Sequence, residues 1–317
     1  MQHKPHSLFS PIILFSVICV ASYQAQAGSY TFTTVDVPGG ISTGLNGINN
    51  PGQIVGNYAD TSDKGVAFLD SGASFTSISV PGAAAGSTQV YSINDGGQIV
   101  GLYQDTTGQH GFLDSGGTFT PINVPFAGGT NTVADGINNR GQIVGYYYDP
   151  TGHTHGFLDT AGAFTSINVP LAGATGGVAA TGIHDRGQIV GFYGTGGDNG
   201  FLLSGGTFTP INVPGSTQTI AYGINNRGEI VGVYDDATGT HGFVDSGGTF
   251  TPINVPGSTK TLIFGINDSG EIVGAYDDAT GQHGFLAIDP VPEPSSLLLL
   301  ASGLALLAAW RSRKLAL

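Results

Sequence analysis

The sequence predicts an all-β protein, a six-bladed β-propeller closed by the N-terminal strand, with an open β-solenoid as the rival arrangement. Three observations carry this reading. The tripeptide Ile-Val-Gly begins at Ile54, Ile99, Ile143, Ile189, Ile230 and Ile272, at spacings of 45, 44, 46, 41 and 42 residues, and a period in the low forties matches one propeller blade. The 317 residues include 53 glycines and only 10% charged residues, a balance that favours short strands and tight turns over surface helices. The repeating body also begins and ends out of phase, so that each end supplies what the other lacks.

Residues 1–27 read as a secretory signal peptide. His3, Lys4 and His6 make a basic start, an apolar run extends from Leu8 to Ala21, and Ala25-Gln26-Ala27 before Gly28 forms an A-x-A cleavage site. Pro11 and a length short of the roughly 20 residues that cross a bilayer argue against an uncleaved anchor. Cys19, the only cysteine, falls in this leader, which leaves a mature chain with neither a disulfide nor a reactive thiol.

Residues 28–290 form the six-repeat body. Each unit contains four strand-like segments, which in the fifth are Thr207–Pro214, Ile220–Asn225, Glu229–Tyr234 and His241–Asp245. The joins carry turn chemistry: Asn225-Asn226-Arg227-Gly228, Asp236-Ala237-Thr238-Gly239 and Asp245-Ser246-Gly247-Gly248 each place glycine where a hairpin needs positive φ. Three hairpins make a four-stranded antiparallel meander. The segment that carries Pro121, Pro210 and Pro252 belongs at the outer edge, where proline breaks no central ladder. Tyr30–Pro38 is an outer-strand sequence without a preceding partner, and His283–Leu286 has no outer strand after it. Pairing the two closes the ring, whereas a solenoid would need distinct polar caps and the terminal units are ordinary.

Residues 291–317 form a three-part ending. Pro292-Glu293-Pro294 precedes an apolar stretch from Leu297 to Trp310, and Arg311, Ser312, Arg313 and Lys314 follow. A basic tail holds its end of a helix in the cytoplasm and Trp310 suits the interface. This ending resembles the PEP-CTERM sorting signal of Gram-negative bacteria. The resemblance implies an exosortase partner, transient inner-membrane association through the helix, cleavage near the motif, and release to the outer envelope or an extracellular polysaccharide matrix. Across residues 30–287, the G-I-N-x-x-G and I-V-G-x-Y elements and His-Gly-Phe resemble bacterial extracellular HAF repeats, which implies location and architecture but no activity. The first unit departs with Val66-Ala67-Phe68, and the fourth with Asn199-Gly200-Phe201 and with His184 in place of asparagine.

A net charge of −13 opposes a phosphate backbone and makes nucleic acid a poor partner. The recurrent His110, His155, His241 and His283 would be spread round a ring, too far apart for one zinc ion, and read as structural; His153 and His155 form a local pair suited to adventitious metal. Tyr58, Tyr103, Tyr147, Tyr193, Tyr234 and Tyr276 share a strand face with the Ile-Val-Gly isoleucine and read as packing between blades. The loops Asp235–Gly239 and Asp277–Gly281 supply too few oxygens for calcium, which takes about 6 to 8, so no metal or cofactor is expected, with calcium at these loops as the disfavoured alternative.

Catalysis finds little support in the sequence. Glu229 and Glu271 stand where other units carry Gln53, Gln98, Gln142 and Gln188, as variants of a turn residue. The segment before each G-I-N, expected to line the channel, offers Leu45, Asn46, Tyr91, Ala134, Asp135, Thr181, Tyr222 and Phe264. Asp135 has no acidic partner there, while a glycosidase needs two carboxylates roughly 5 to 9.5 Å apart. The expectation is a non-catalytic envelope or matrix protein with a structural or carbohydrate-binding role. An extracellular polysaccharide hydrolase or lyase is the alternative, with Asp135, His153, His155, His184 and Asp185 as its candidate residues.

Overall fold

The computed structural model describes residues 30–289, apart from 73, 128–130, 171–175 and 196–198. The chain opens with β1 (Thr31–Thr34). The first blade is β2 (Ser42–Ile48), β3 (Ile54–Ala59), β4 (Gly65–Asp70) and β5 (Phe75–Ile78), and the second is β6 (Gln89–Ile93), β7 (Gln98–Asp105), β8 (Gly108–Ser115) and β9 (Thr118–Ile122). The third comprises β10 (Thr132–Ile137), β11 (Gln142–Tyr148), β12 (Thr154–Thr160) and β13 (Ala163–Ile167), and the fourth β14 (Gly177–Ile183), β15 (Ile189–Gly194), β16 (Asn199–Ser204) and β17 (Thr207–Ile211). The fifth comprises β18 (Gln218–Ile224), β19 (Glu229–Asp236), β20 (Gly239–Ser246) and β21 (Thr249–Ile253). The sixth has β22 (Lys260–Ile266), β23 (Ile272–Asp278) and β24 (Gly281–Ile288), with β1 as its fourth strand.

Every blade is a four-stranded antiparallel sheet, a continuous meander in the first five, and its turns use the residues the sequence supplies. Asn225 Oδ1 accepts hydrogen bonds from the Arg227 and Glu229 amides at 3.1 and 3.0 Å, and Gly228 closes that hairpin at φ +85°. In the third hairpin Asp245 Oδ1 accepts from the Gly248 amide at 2.7 Å, while Gly247 and Gly248 both take positive φ, as a type I′ turn demands.

The inner strands β2, β6, β10, β14, β18 and β22 touch one another in order and return from β22 to β2. Each carries a β-bulge before the G-I-N glycine, or before Ser92 in the second blade. Just upstream, a carbonyl of the inner strand lies against the Ile-Val-Gly glycine of the next strand. A Cβ on Gly232 would strike the Ile220 carbonyl and sit 2.9 Å from the Phe243 ring, and the five equivalent glycines meet the same pair of obstacles. Only glycine lets carbonyl and ring approach the strand together.

Packing follows the two-residue period. Val55, Val100, Val144, Val190, Val231 and Val273 are each fully buried and face the next blade, while the neighbouring isoleucines face the previous one. Six apolar clusters result, one per blade interface. The recurrent tyrosines belong to them: Tyr103, Tyr147, Tyr193 and Tyr234 are buried, and Tyr58 and Tyr276 are partly buried against the same clusters. Pro121, Pro210 and Pro252 lie on outer strands, opposite Phe112, Phe201 and Phe243.

Closure excludes the solenoid. β1 pairs with β24 in the register Thr31↔Ile288 to Thr34↔Phe285, and Val273 of the sixth blade packs with Leu45, Ile48, Ile54 and Phe68 of the first. The ring is therefore sealed by hydrogen bonding within one blade and by apolar packing between two.

Candidate functional site

The bulges build the centre of the molecule. A bulge residue has no partner across the ladder and is turned out of the regular alternation. The six bulge residues, Asn46, Tyr91, Asp135, Thr181, Tyr222 and Phe264, all line one cavity of about 460 Å³ on the ring axis. Leu45 and Ala134 do not. Both are fully buried in blade-interface clusters, because the strand alternation sends them to the opposite side, contrary to the expectation from sequence that they line the channel.

Two of the five polar bulge residues are committed to the scaffold. Asn46 Nδ2 donates to the Val90 carbonyl at 2.7 Å and Thr181 Oγ1 to the Ala221 carbonyl at 2.8 Å, each reaching the next blade. Asp135 accepts no hydrogen bond from any described residue. It opens only to the lumen, and desolvation by the surrounding walls raises its carboxyl to about 7. Tyr91, Tyr146 and Tyr222 are all raised by burial first and by the Asp135 charge second, Tyr222 to about 12. Three phenols and one carboxyl thus share the lumen, and the Tyr222 and Phe264 rings meet edge to face at 5.1 Å.

Asn57, Tyr146 and Phe192 also line the cavity, and sequence reasoning missed them. They sit directly after the Ile-Val-Gly glycine, at a position held by Leu102, Val233 and Ala275 in the other units. That departure from aliphatic residues was the available signal.

One end of the cavity is constricted by a hydrogen-bonded ring. Asn50, Asp95, Asn139, Asp185, Asn226 and Asp268 alternate amide and carboxylate round the axis. Each asparagine Nδ2 donates to both neighbouring aspartates at 2.8 to 3.1 Å, and each backbone amide donates to the side chain of the next blade at 2.7 to 2.9 Å. Behind it, Asn49, Asn94, Asn138, Asn225 and Asn267 each donate to the next blade's backbone. His184 takes the sixth place with its ring on Gln188 and on the Arg186 amide. The Asn/Asp alternation stands one residue after Asn49, Asn94, Asn138, His184, Asn225 and Asn267, at positions that read in sequence as turn residues.

The remaining candidates are not gathered with Asp135. His153 and His155 lie on a peripheral hairpin and converge on Asp149, with His155 Nε2 3.0 Å from its Oδ2; bonds from Thr151 first and His155 second lower the Asp149 carboxyl well below its ordinary range. His110, His241 and His283 repeat one structural role. Each meets a threonine and an aspartate of the preceding turn, packs 5.2 Å from the strand tyrosine, and reaches Asn123, Asn254 or Asp36 with Nδ1. Asp236 and Asp278 are engaged by Thr238 and Thr280, and among the described residues no three metal-ligating side chains converge. Glu229 and Glu271 accept from Asn225 and Asn267 at 2.7 and 2.5 Å, the place Gln53 fills toward Asn49.

Ala25, Ala27, Gly28, the Pro292-Glu293-Pro294 motif, and Trp310, Arg311, Arg313 and Lys314 lie outside the described residues, as does the expected C-terminal membrane helix. Among the described residues no helix is long and apolar enough to cross a membrane.

Comparison with known proteins gives two kinds of likeness. Residues 290–314 match the PEP-CTERM protein-sorting motif, and no curated protein matches the chain. Among solved structures, AofleA from Arthrobotrys oligospora is similar at a TM-score of 0.52 and 10% identity, over 83% of this chain and 94% of that one. SapL1 lectin in complex with alpha methyl fucoside is similar at 0.50 and 12% identity, over 80% and 97%. Trypanosoma rangeli sialidase in complex with the inhibitor DANA is similar at 0.44 and 11% identity, over 90% and 58%. At these identities the likeness to AofleA and to SapL1 is one of fold.

Proposed function

We propose that the chain is an exported, non-catalytic propeller of the outer envelope or extracellular matrix that serves as a structural or carbohydrate-binding module. The observation that carries this is the pairing of a sorting motif at residues 290–314 with a closed ring of six alike blades. On this reading the secretion machinery exports the chain through its leader, and the exosortase cuts it near Pro292-Glu293-Pro294 after a transient stay in the inner membrane. Likeness of the repeats to HAF repeats supports the same destination. SapL1, a lectin solved with a fucoside, supports carbohydrate as the ligand class. Six similar faces would bind a repetitive polymer weakly at each blade, and multivalency would convert weak contacts into retention.

The raised carboxyl of Asp135 favours a second reading, a polysaccharide hydrolase or lyase with its acid in the channel. Against it, Asp135 is the only carboxylate among the described residues that line the cavity, whereas glycoside hydrolysis uses a pair. The test is to mix the purified protein with exopolysaccharide from its own host and record co-sedimentation together with new reducing or unsaturated chain ends. Retention without new ends is expected. Product formation abolished by Asp135→Asn would replace this reading with the enzymatic one.

A further inference from the structure

The central cavity holds more chemistry than the scaffold uses. Its lining includes five aromatic side chains, Tyr91, Tyr146, Phe192, Tyr222 and Phe264, and no Lys, Arg or His among the described residues. Asn46 and Thr181 are spent on backbone carbonyls, but the Asp135 carboxylate faces the lumen without a donor. A second carboxylate adds to the field: Asp235 Oδ1 is buried with no hydrogen-bond partner among the described residues, and its charge, like that of Asp135, reaches the Tyr222 phenol. At the end opposite the Asn/Asp ring, Tyr146 meets Tyr148 at 5.8 Å, and Tyr148 is exposed, so the aromatic wall continues to solvent.

An anionic group amid π-systems, with no cationic side chain among the described lining residues, selects for positive charge. Ammonium ions are attracted to aromatic faces within about 6 Å of the ring centroid, most strongly where water is excluded. The geometry points to the central cavity as a binding site for a small organic ammonium ion, held by Asp135 among Tyr91, Tyr146 and Tyr222. This is distinct from polymer binding at the blades, so either can fail without the other.

The carboxyl near 7 gives the site a pH signature. A bound cation favours the carboxylate, so binding below pH 7 releases a proton and affinity weakens as the pH falls. The titratable groups facing Asp135 are Tyr91, Tyr146 and Tyr222, which stay neutral through this range because their phenols are raised; Asp235 acts on the site through Tyr222.

The test is calorimetric titration of the full-length chain with choline and with its neutral carbon isostere, 3,3-dimethylbutan-1-ol, at pH 8 and pH 5.5. Choline is expected to bind saturably, at least about tenfold tighter than the alcohol, and more weakly at pH 5.5. Asp135→Asn, checked for an intact melting transition, is expected to lose that preference, and Tyr222→Leu to weaken choline binding should the first variant not fold. Equal affinity for choline and the alcohol, an unchanged preference in a folded Asp135→Asn variant, or no saturable choline binding would overturn the assignment.

Discussion

Phe32 and Phe285, the one near the start of the body and the other near its end, meet at a ring-centroid distance of 5.8 Å and an interplanar angle of 60°. Five other blades make the same pair within continuous sequence, as Phe68–Phe75, Phe112–Phe119, Phe157–Phe164, Phe201–Phe208 and Phe243–Phe250, at 5.5 to 5.8 Å. The sixth blade thus reproduces its siblings only because the two ends of the repeat body come together. Tyr30 and Phe32 also cover the cluster that contains Phe285.

Deleting residues 28–39 therefore removes a strand of the sixth blade and uncovers Phe285, and the whole ring should lose stability. Thermal melting of the truncated and complete chains is expected to show a drop in Tm across a single transition. An unchanged Tm would mean that the N-terminal strand does not close the ring.

The Ile-Val-Gly glycine sits where a carbonyl and a phenylalanine ring converge, and alanine there overpacks the blade. Gly232→Ala should cost at least about 1–3 kcal/mol. The control is Gly44→Ala, whose Cβ would meet nothing closer than 3.9 Å and which should change stability little. Chemical denaturation of both variants separates them.

The seam also carries a pH-sensitive latch. His283 Nδ1 lies 2.8 Å from Asp36 Oδ2, and the hydrogen bond to Asp36, followed by the charges of Asp36 and Asp278, raises the imidazole above its ordinary value. A histidine raised in the folded state contributes stability fully below its unfolded pKa, about 6.5, and loses it as the pH rises through the higher folded value. The stability difference between the wild type and His283→Gln should therefore shrink above about pH 6.5. A difference that grows with pH would contradict the latch.

Asp135 acts in the same direction for the opposite reason. Burial raises its carboxyl, so the folded state binds the proton more tightly than the unfolded chain, and stability declines as the pH climbs from about 4 toward 7. Asp135→Asn should raise Tm at pH 8 by roughly 2–4 °C for each kcal/mol recovered and flatten that slope. A lower Tm at pH 8 would indicate that the carboxylate has a stabilising partner.

Much of this was legible in the sequence. The Ile-Val-Gly period gave six units, the glycine positions gave the hairpins, and the phase of Tyr30–Pro38 against His283–Leu286 gave closure. The channel was only partly legible, since alternation alone cannot assign faces across a bulge. Leu45 and Asn46 look equally eligible in sequence, and the extra residue in the ladder sends one to the core and the other to the lumen. Asn57, Tyr146 and Phe192 escaped because they belong to the second strand, whose equivalents Leu102, Val233 and Ala275 do not reach the cavity. The Asn50–Asp268 ring escaped because its hydrogen bonds join different blades.

Export of this propeller and its delivery beyond the inner membrane can be read from intact-mass measurement of the protein in each cell fraction of its native host. Most molecules are expected in the outer-envelope or extracellular-matrix fraction, beginning near Gly28 and ending near Pro292-Glu293-Pro294. Recovery of most molecules from the inner membrane with residues 297–314 still attached would contradict that delivery.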